Sequence, residues 1–393
     1  MNIPAIYYIL SAVYLPLWLF AMLQAYRYRR VQKLIKNAEE RGMQPNTPLP
    51  GMSIVLTTHD QVDELRRHLP LFLEQDYPGN YELIVADMNS KDETRDYLES
   101  MQGRYPHLHV SLLPDTVRNI SPIQLALTLG IRSACHDWIV LTQADCHPAS
   151  PAWLRRLGET CAQNPKREIV LGRTRFTGGK GWQGLRCRFF RTWQQMLHLP
   201  YAQRYRAYRA DVGNLCYRRS LFLRHKGFAD NSTLLLGATD IMVNRNSTRA
   251  NTAVCLHPDA VVLQDTPRST RWWKEERLFF METRRHFAHG AFYRLQYFTS
   301  VSLTWLFTLA TVGTVLTDAL LLHDYKASVV AAVLWLVHAV FRAVCFNKGA
   351  KAMGEASFFP LLPLLLHLVP LWDTAAWLRW RVTPRRMFRK KFI

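Results

Sequence analysis

The chain has 393 residues, with 50 Lys+Arg against 30 Asp+Glu (formal net charge +20), 49% hydrophobic and 12% aromatic residues, and a mean hydropathy of −0.12. Such apolar content excludes a disordered chain, and seven scattered Cys without C-x-x-C spacing exclude a disulfide scaffold and fit reduced thiols on a cytosolic face. A chain made only of membrane spans would have clearly positive hydropathy, and the charge excess leaves nucleic acid, an anionic membrane or an anionic substrate to account for it.

Residues 3–24 contain no charge, enough for one bilayer crossing at about 1.5 Å per residue. Basic residues follow rather than precede this stretch: Arg27, Arg29, Arg30, Lys33 and Lys36. The positive-inside rule then predicts an uncleaved anchor (1–26), an extracytoplasmic N-terminus and a cytosolic basic linker (27–51) that ends in the Pro-rich stretch 42–50.

A soluble domain is predicted over 52–267. Apolar runs at 53–58, 81–87, 108–114 and 137–145 read as strands. Between the first two, Leu65, Leu69 and Leu73 recur at helical spacing. Before the fourth, Ser121 and Pro122 mark a helix start, as N-cap and first helical residue. Alternating strands and helices imply an α/β domain with a mostly parallel sheet covered on both faces. Such sheets bind ligands at the carboxyl ends of their strands. That rule selects Thr57, Thr58, His59 and Asp60 after the first strand, Asp87 after the second and Asp145 after the fourth. Each could instead merely cap the next helix.

The chain has no G-x-G-x-x-G after the first strand, no Walker A, no H-E-x-x-H and no G-x-S-x-G. Dinucleotide oxidoreductase, P-loop NTPase, zinc hydrolase and serine hydrolase readings lose their best support.

Four segments together resemble the family 2 inverting glycosyltransferases of GT-A fold, over roughly 52–285. They are VLTTHDQVDELRRHLPLFLEQDYPGNYELIVADMNSKDET, SPIQLALTLGIRSACHDWIVLTQADCHPASPAWL, DVGNLCYRRSLF followed by Gly227-Phe228, and LLLGATDIMVNR. The resemblance implies a nucleotide-sugar donor, most simply UDP-linked, and Mn²⁺ or Mg²⁺ as cofactor. It makes Asp145 the metal ligand and Asp240 the base that deprotonates the acceptor hydroxyl. Asp87 would hold the nucleobase beside Thr57, His59, Asp60 and Ala144. Gly213, Asn214, Thr239 and Arg277 would serve the acceptor or the diphosphate. A divalent cation bound by hard oxygen ligands suits a departing diphosphate.

Three positions depart from the family pattern. Gln143-Ala144-Asp145 replaces Asp-x-Asp, Thr239-Asp240 replaces Glu-Asp, and Lys274 to Leu278 loses both ends of Gln-x-x-Arg-Trp. The last change argues for transfer of one sugar rather than processive synthesis. A processive polysaccharide synthase and an inactive scaffold of an envelope-synthesis complex remain the alternatives.

Residues 180–210 hold seven Lys/Arg, no acid and interleaved aromatics. They read as an interfacial helix contacting membrane lipids beside a lipid or lipid-linked acceptor, in preference to a nucleic-acid site. Residues 268–296 read as an amphipathic juxtamembrane helix, and 297–380 as membrane helices with candidate spans at 297–322, 327–346 and 357–378. A tight hairpin, HDYK, joins the first two. The tail (381–393) is basic and belongs in the cytosol, so 357–378 must dip in and return or lie at the interface. Asp318 and His338 fall inside apolar spans, where an ionisable group is a functional candidate. The N-glycosylation patterns at Asn119, Asn231 and Asn246 carry no meaning on a cytosolic domain. The whole reads as a multi-pass protein of the cell inner membrane, its oligomeric state open.

Overall fold

The computed structural model describes residues 3–40, 48–114, 120–179, 181–267, 269–322 and 325–389. Most of the 42–50 linker, half of the HDYK hairpin, Asn119 and the last four residues lie outside the described residues.

Helix α1 (Ile3–Glu40) leads to a seven-stranded sheet. Its first half comprises β1 (Met52–Thr58), α2 (Val62–Leu73), β2 (Tyr81–Asp87), α3 (Thr94–Gln102), β3 (Leu108–Leu112), α4 (Pro122–Ser133) and β4 (Trp138–Gln143). The second half adds β5 (Cys146–Pro148), α5 (Trp153–Ala162), β6 (Ile169–Leu171), β7 (Arg173–Phe176), α6 (Gly181–Arg204), β8 (Leu215–Arg218), α7 (Arg219–Arg224), α8 (Ala238–Asn246), β9 (Thr252–Val254) and β10 (Val261–Gln264). The large sheet runs β3-β2-β1-β4-β8-β6-β9, and β5-β10-β7 form a second, small sheet.

β1 is buried throughout, and this explains its continuous apolar run. Val55 packs with Leu127 and Ile131 of α4 on one face. Ile54 and Leu56 pack with Leu65, Leu69 and Phe72 of α2 on the other. β1 lies between parallel β2 and β4, and the register pairs Thr58 with Asp87 and Thr57 with Gln143. The strand order reverses at β1, so a crevice opens where these three carboxyl ends meet. Ser121 does precede α4, but its hydroxyl donates to the Leu235 carbonyl at 3.1 Å and caps nothing. The N-cap expectation is corrected in that respect.

Four helices follow: α9 (Thr270–Thr283), α10 (Ala291–Thr317), α11 (Lys326–Ala352) and α12 (Leu362–Val382). Among the described residues two helices are long and apolar enough to cross a membrane, Ala291–Leu320 and Lys326–Ala352. α1 packs against both. The Tyr14 hydroxyl donates to the Ala331 carbonyl at 2.9 Å and lies 2.8 Å from Thr311 Oγ1, and Trp18 Nε1 donates to the Leu334 carbonyl at 3.1 Å. Residues 27–40 of the basic linker continue α1 as helix.

The segment after α11 is tied to the α/β domain at both ends. Arg173 donates to the Met353 carbonyl at 2.6 Å, and the Leu235 N–H donates to the Phe388 carbonyl at 3.0 Å. In between, His367 of α12 lies 2.9 Å from Thr308, deep along α10.

α6 departs from a purely interfacial helix. Phe189, Phe190 and Trp193 are buried in a core shared with Tyr28 of α1, Phe346 of α11 and Trp372 of α12, while Trp182 and Tyr205 stay exposed. Its aromatics join the α/β domain to the apolar helices. Asp318 is structural as well: its carboxylate accepts the Ser328 N–H at 2.6 Å and caps the start of α11.

Candidate active site

The loops after β1 and β2 are stitched together. Asp60, at φ 49°, accepts the Lys91 N–H at 2.6 Å, and the Asp60 N–H donates to Ser90 Oγ at 2.9 Å. Asp87 is buried and accepts the Ser90 N–H at 3.1 Å together with the Ser90 hydroxyl. Thr57 is buried beside it, and exposed His59 lies 3.6 Å from Asp60. Ala144 closes this edge through its backbone. Its N–H donates to the Thr57 carbonyl at 3.3 Å, and its carbonyl accepts from His68 Nδ1 at 2.8 Å. The backbone between β4 and β5 is thereby fixed against β1.

That turn presents Asp145. Its carboxylate accepts from Gln264 Nε2 at 2.9 Å and has no ion-pair partner among the described residues. Burial raises its pKa and neighbouring Asp265 adds to the rise, against the Gln264 bond. A half-buried carboxylate without an ion-pair partner, held by Gln264 and Cys146 Sγ, fits a hard divalent cation. A second group lies alongside: ligand atoms of His68, His147 and Asp265 fall within 4.8 Å of one another. There Arg67 already pairs with Asp265 at 3.1 Å.

Asp240 occupies the first turn of α8, after Gly237 at φ 89°. Only 7% of Asp240 is exposed. Its Oδ1 accepts the Ala210 N–H at 2.8 Å, and Arg209 stands 3.8 Å from Oδ2. Burial raises its pKa, against the pull of Arg209. A raised carboxylate is a stronger base for a hydroxyl proton.

Asp145 and Asp240 line one cavity of about 280 Å³ together with Gln143, Thr239, Asp211 and Glu276. Sequence reasoning did not select Asp211, Glu276, Arg191 or Gln264. Arg191 donates to Asp211 at 2.7 Å and to Gln264 Oε1 at 3.2 Å. Burial alone would raise Asp211, but Arg191 and the Thr174 hydroxyl bring it below the usual carboxylate range. The first residue of the DVGN motif was the available signal for Asp211. Glu276 is one residue from the selected Arg277, and nothing in the sequence distinguishes it from its helix neighbours.

Three selected residues are placed elsewhere. Asn214 is fully buried and its amide is spent inside the protein. Its Nδ2 donates to the Arg173 and Ala260 carbonyls at 2.9 and 2.8 Å, and its Oδ1 accepts from Trp153 Nε1 at 3.2 Å. Gly213 is a packing residue: an added Cβ would meet Cys146 Sγ at 3.0 Å. Neither lines the Asp145–Asp240 cavity, and both pack behind it. Arg277 pairs with Asp373 of α12, lies 4.1 Å over the Phe190 ring, and is absent from the lining of the Asp145–Asp240 cavity.

Arg277 instead lines a second cavity of about 370 Å³ between α6, α9, α10 and α12. Arg209, Glu276 and Phe280 line both cavities.

Residues 53–226 match the sequence model described as Glycosyl transferase family 2. No curated protein matches the chain. Among solved structures, it is similar to the mannosyltransferase PcManGT from Pyrobaculum calidifontis, in complex with GDP-Man and Mn²⁺. The identity is 18% and the TM-score 0.54, over 93% of this chain and 99% of that one. This likeness is one of fold. S. aureus TarS 1–349 is more distant, at 13% identity and TM-score 0.44 over 86% of this chain and 92% of that one, and carries no argument.

Proposed function

We propose that this chain, a glycosyltransferase whose family 2 domain occupies residues 53–226 of a GT-A fold, moves one sugar with inversion from a nucleotide-sugar to the hydroxyl of a lipid or lipid-linked acceptor. One observation carries the reading: Asp145 and Asp240 share a cavity at the carboxyl edge of the sheet, and that cavity adjoins a second one walled in part by the apolar helix α10.

Asp240 takes the acceptor proton as the acceptor oxygen attacks the anomeric carbon and the bond to the diphosphate breaks. The Ala210 N–H fixes which carboxylate oxygen remains free to do so. Asp145 holds Mn²⁺ or Mg²⁺, and a bound cation of this kind offsets charge on a departing diphosphate. Thr57, His59, Asp60 and Asp87 lie at the β1 and β2 ends, where the nucleoside binds, UDP being the expected carrier. Thr239 borders the acceptor side of Asp240.

α10 and α11 form a membrane hairpin beside α1, with the catalytic domain on the cytosolic side of the inner membrane. α12 enters and returns to that side, which the bonds of Met353 and Phe388 to the catalytic domain support. The basic clusters at 27–36 and 379–391 then border the cytosolic leaflet.

The test is product analysis. Purified protein is incubated with Mn²⁺, radiolabelled UDP- or GDP-sugars and a membrane lipid extract. Label in the organic phase as a lipid extended by a single sugar is the expected product. Long water-soluble chains would replace this reading with a polymer synthase.

A further inference from the structure

The second cavity has a charge pattern that the transfer chemistry does not use. Tyr208 and Tyr293 stack at 4.1 Å between their ring centroids on its wall, with Phe280 and Phe298 beside them. Four guanidinium groups line it: Arg209, Arg277, Arg284 and Arg294. Two carboxylates face them. Asp373 is consumed by Arg277 and the Tyr297 hydroxyl. Glu276 stands 3.9 Å from Arg191 of the first cavity. Arg284 and Arg294 make no ion pair among the described residues, and Arg209 is stacked 4.5 Å over Phe280 with Asp240 as its nearest carboxylate. The cavity therefore carries a cationic surplus on aromatic walls. Arg294 and Phe298 belong to the first two turns of α10, an apolar helix, where Leu295 and Phe298 are 57% and 66% exposed.

We infer that this cavity is the acceptor subsite and that it selects a lipid phosphate, with Arg209, Arg284 and Arg294 holding the anion and the lipid chain leaving past Phe298. The inference rests on the lipid-acceptor reading above and names its chemical class. Planar guanidinium groups match phosphate oxygens in pairs, and aromatic walls accept isoprenoid or acyl chain. Arg209 borders both cavities, so an anion held there sits next to the group that Asp240 deprotonates. A neutral glycolipid would offer half-exposed Arg284 and exposed Arg294 no counter-charge.

The experiment uses full-length protein in phosphatidylcholine nanodiscs. Binding of farnesyl phosphate, farnesol and inorganic phosphate is measured by thermophoresis. Farnesyl phosphate is expected to bind at least tenfold more tightly than either of the others. The double variant Arg284→Gln/Arg294→Gln should lose that preference, Arg284→Lys/Arg294→Lys should keep most of it, and Arg204→Gln, an exposed cation at the end of α6, should leave it unchanged. Equal binding of farnesol overturns the anion requirement, and equal binding of inorganic phosphate overturns the lipid requirement. A similar loss in Arg204→Gln reduces the effect to general surface charge and also overturns the inference. UDP and GDP binding with Mn²⁺ is titrated in parallel. Its absence refutes the donor chemistry and leaves the lipid result to stand or fall alone.

Discussion

The Ala210 N–H donates to Asp240 Oδ1 at 2.8 Å, tying the loop that carries Arg209 and Asp211 to the first turn of α8. Residues thirty positions apart thus set the geometry of one carboxylate. Asp240→Asn preserves the shape and an oxygen able to accept this bond, but removes the base. It is expected to lower kcat by about 10²–10⁴-fold with little change in donor KM. Steady-state kinetics decide, and an undiminished kcat would assign the proton to another group.

The raised pKa of Asp240 also fixes two pH effects. Activity needs the ionised form, so the acid limb of kcat/KM should lie above the ~3.9 of an ordinary Asp. In stability the sign is opposite. A group raised by folding contributes stability that is present below its unfolded pKa and lost as pH rises through its folded pKa. At neutral pH the ionised side chain is therefore a burden, and Asp240→Asn should melt at a higher temperature than the wild type. Equal or lower Tm at neutral pH would contradict the burial account.

Gln143 stands beside Asp145 in the cavity, where the resembling family carries a second Asp. Activity should be lost on chelation and restored by Mn²⁺ or Mg²⁺. Asp145→Asn should require far more Mn²⁺ for half-maximal nucleotide diphosphate release, while Gln143→Asp should require less. A Mn²⁺ titration of all three proteins reads this directly, and a Gln143→Asp curve that overlays the wild type would remove position 143 from the cation's surroundings.

Gly237 precedes α8 at φ 89°, and a Cβ there would collide with Thr283 Oγ1. Gly237→Ala should cost about 1–3 kcal/mol through backbone strain, with added displacement of Asp240. Thermal melting and kcat are expected to fall together. Adding Thr283→Ala relieves only the contact, so recovery should be partial; full recovery would show that the backbone conformation itself costs little.

The parts that were readable from sequence share a physical cause. β1, β2 and β4 are covered on both faces, so each shows as an unbroken apolar run, and the ligand-binding edge follows from their ends. β5 to β10 have three or four residues each and exist through tertiary pairing, which leaves no local pattern. Asp211 and Glu276 are ordinary acids until the fold turns them into one cavity. A side chain such as Asn214 that ties β7 to a neighbouring turn looks the same in sequence as one awaiting an acceptor. The aromatic and basic stretch at 180–210 is ambiguous in the same way, because burial against α1, α11 and α12 demands the same Phe and Trp residues as a lipid interface. The two cavities, their shared Arg209 and the surplus of arginine in the second are products of packing among distant helices.

The proposal that Asp145 and Asp240 serve one glycosyl transfer at the membrane is tested most directly by nucleotide diphosphate release. Full-length protein is given a panel of nucleotide-sugars with Mn²⁺, with and without membrane lipid extract. Release from one donor, stimulated by the extract and abolished in both Asp145→Asn and Asp240→Asn, is expected. No release from any donor, or lipid-stimulated release that survives in Asp240→Asn, would contradict it.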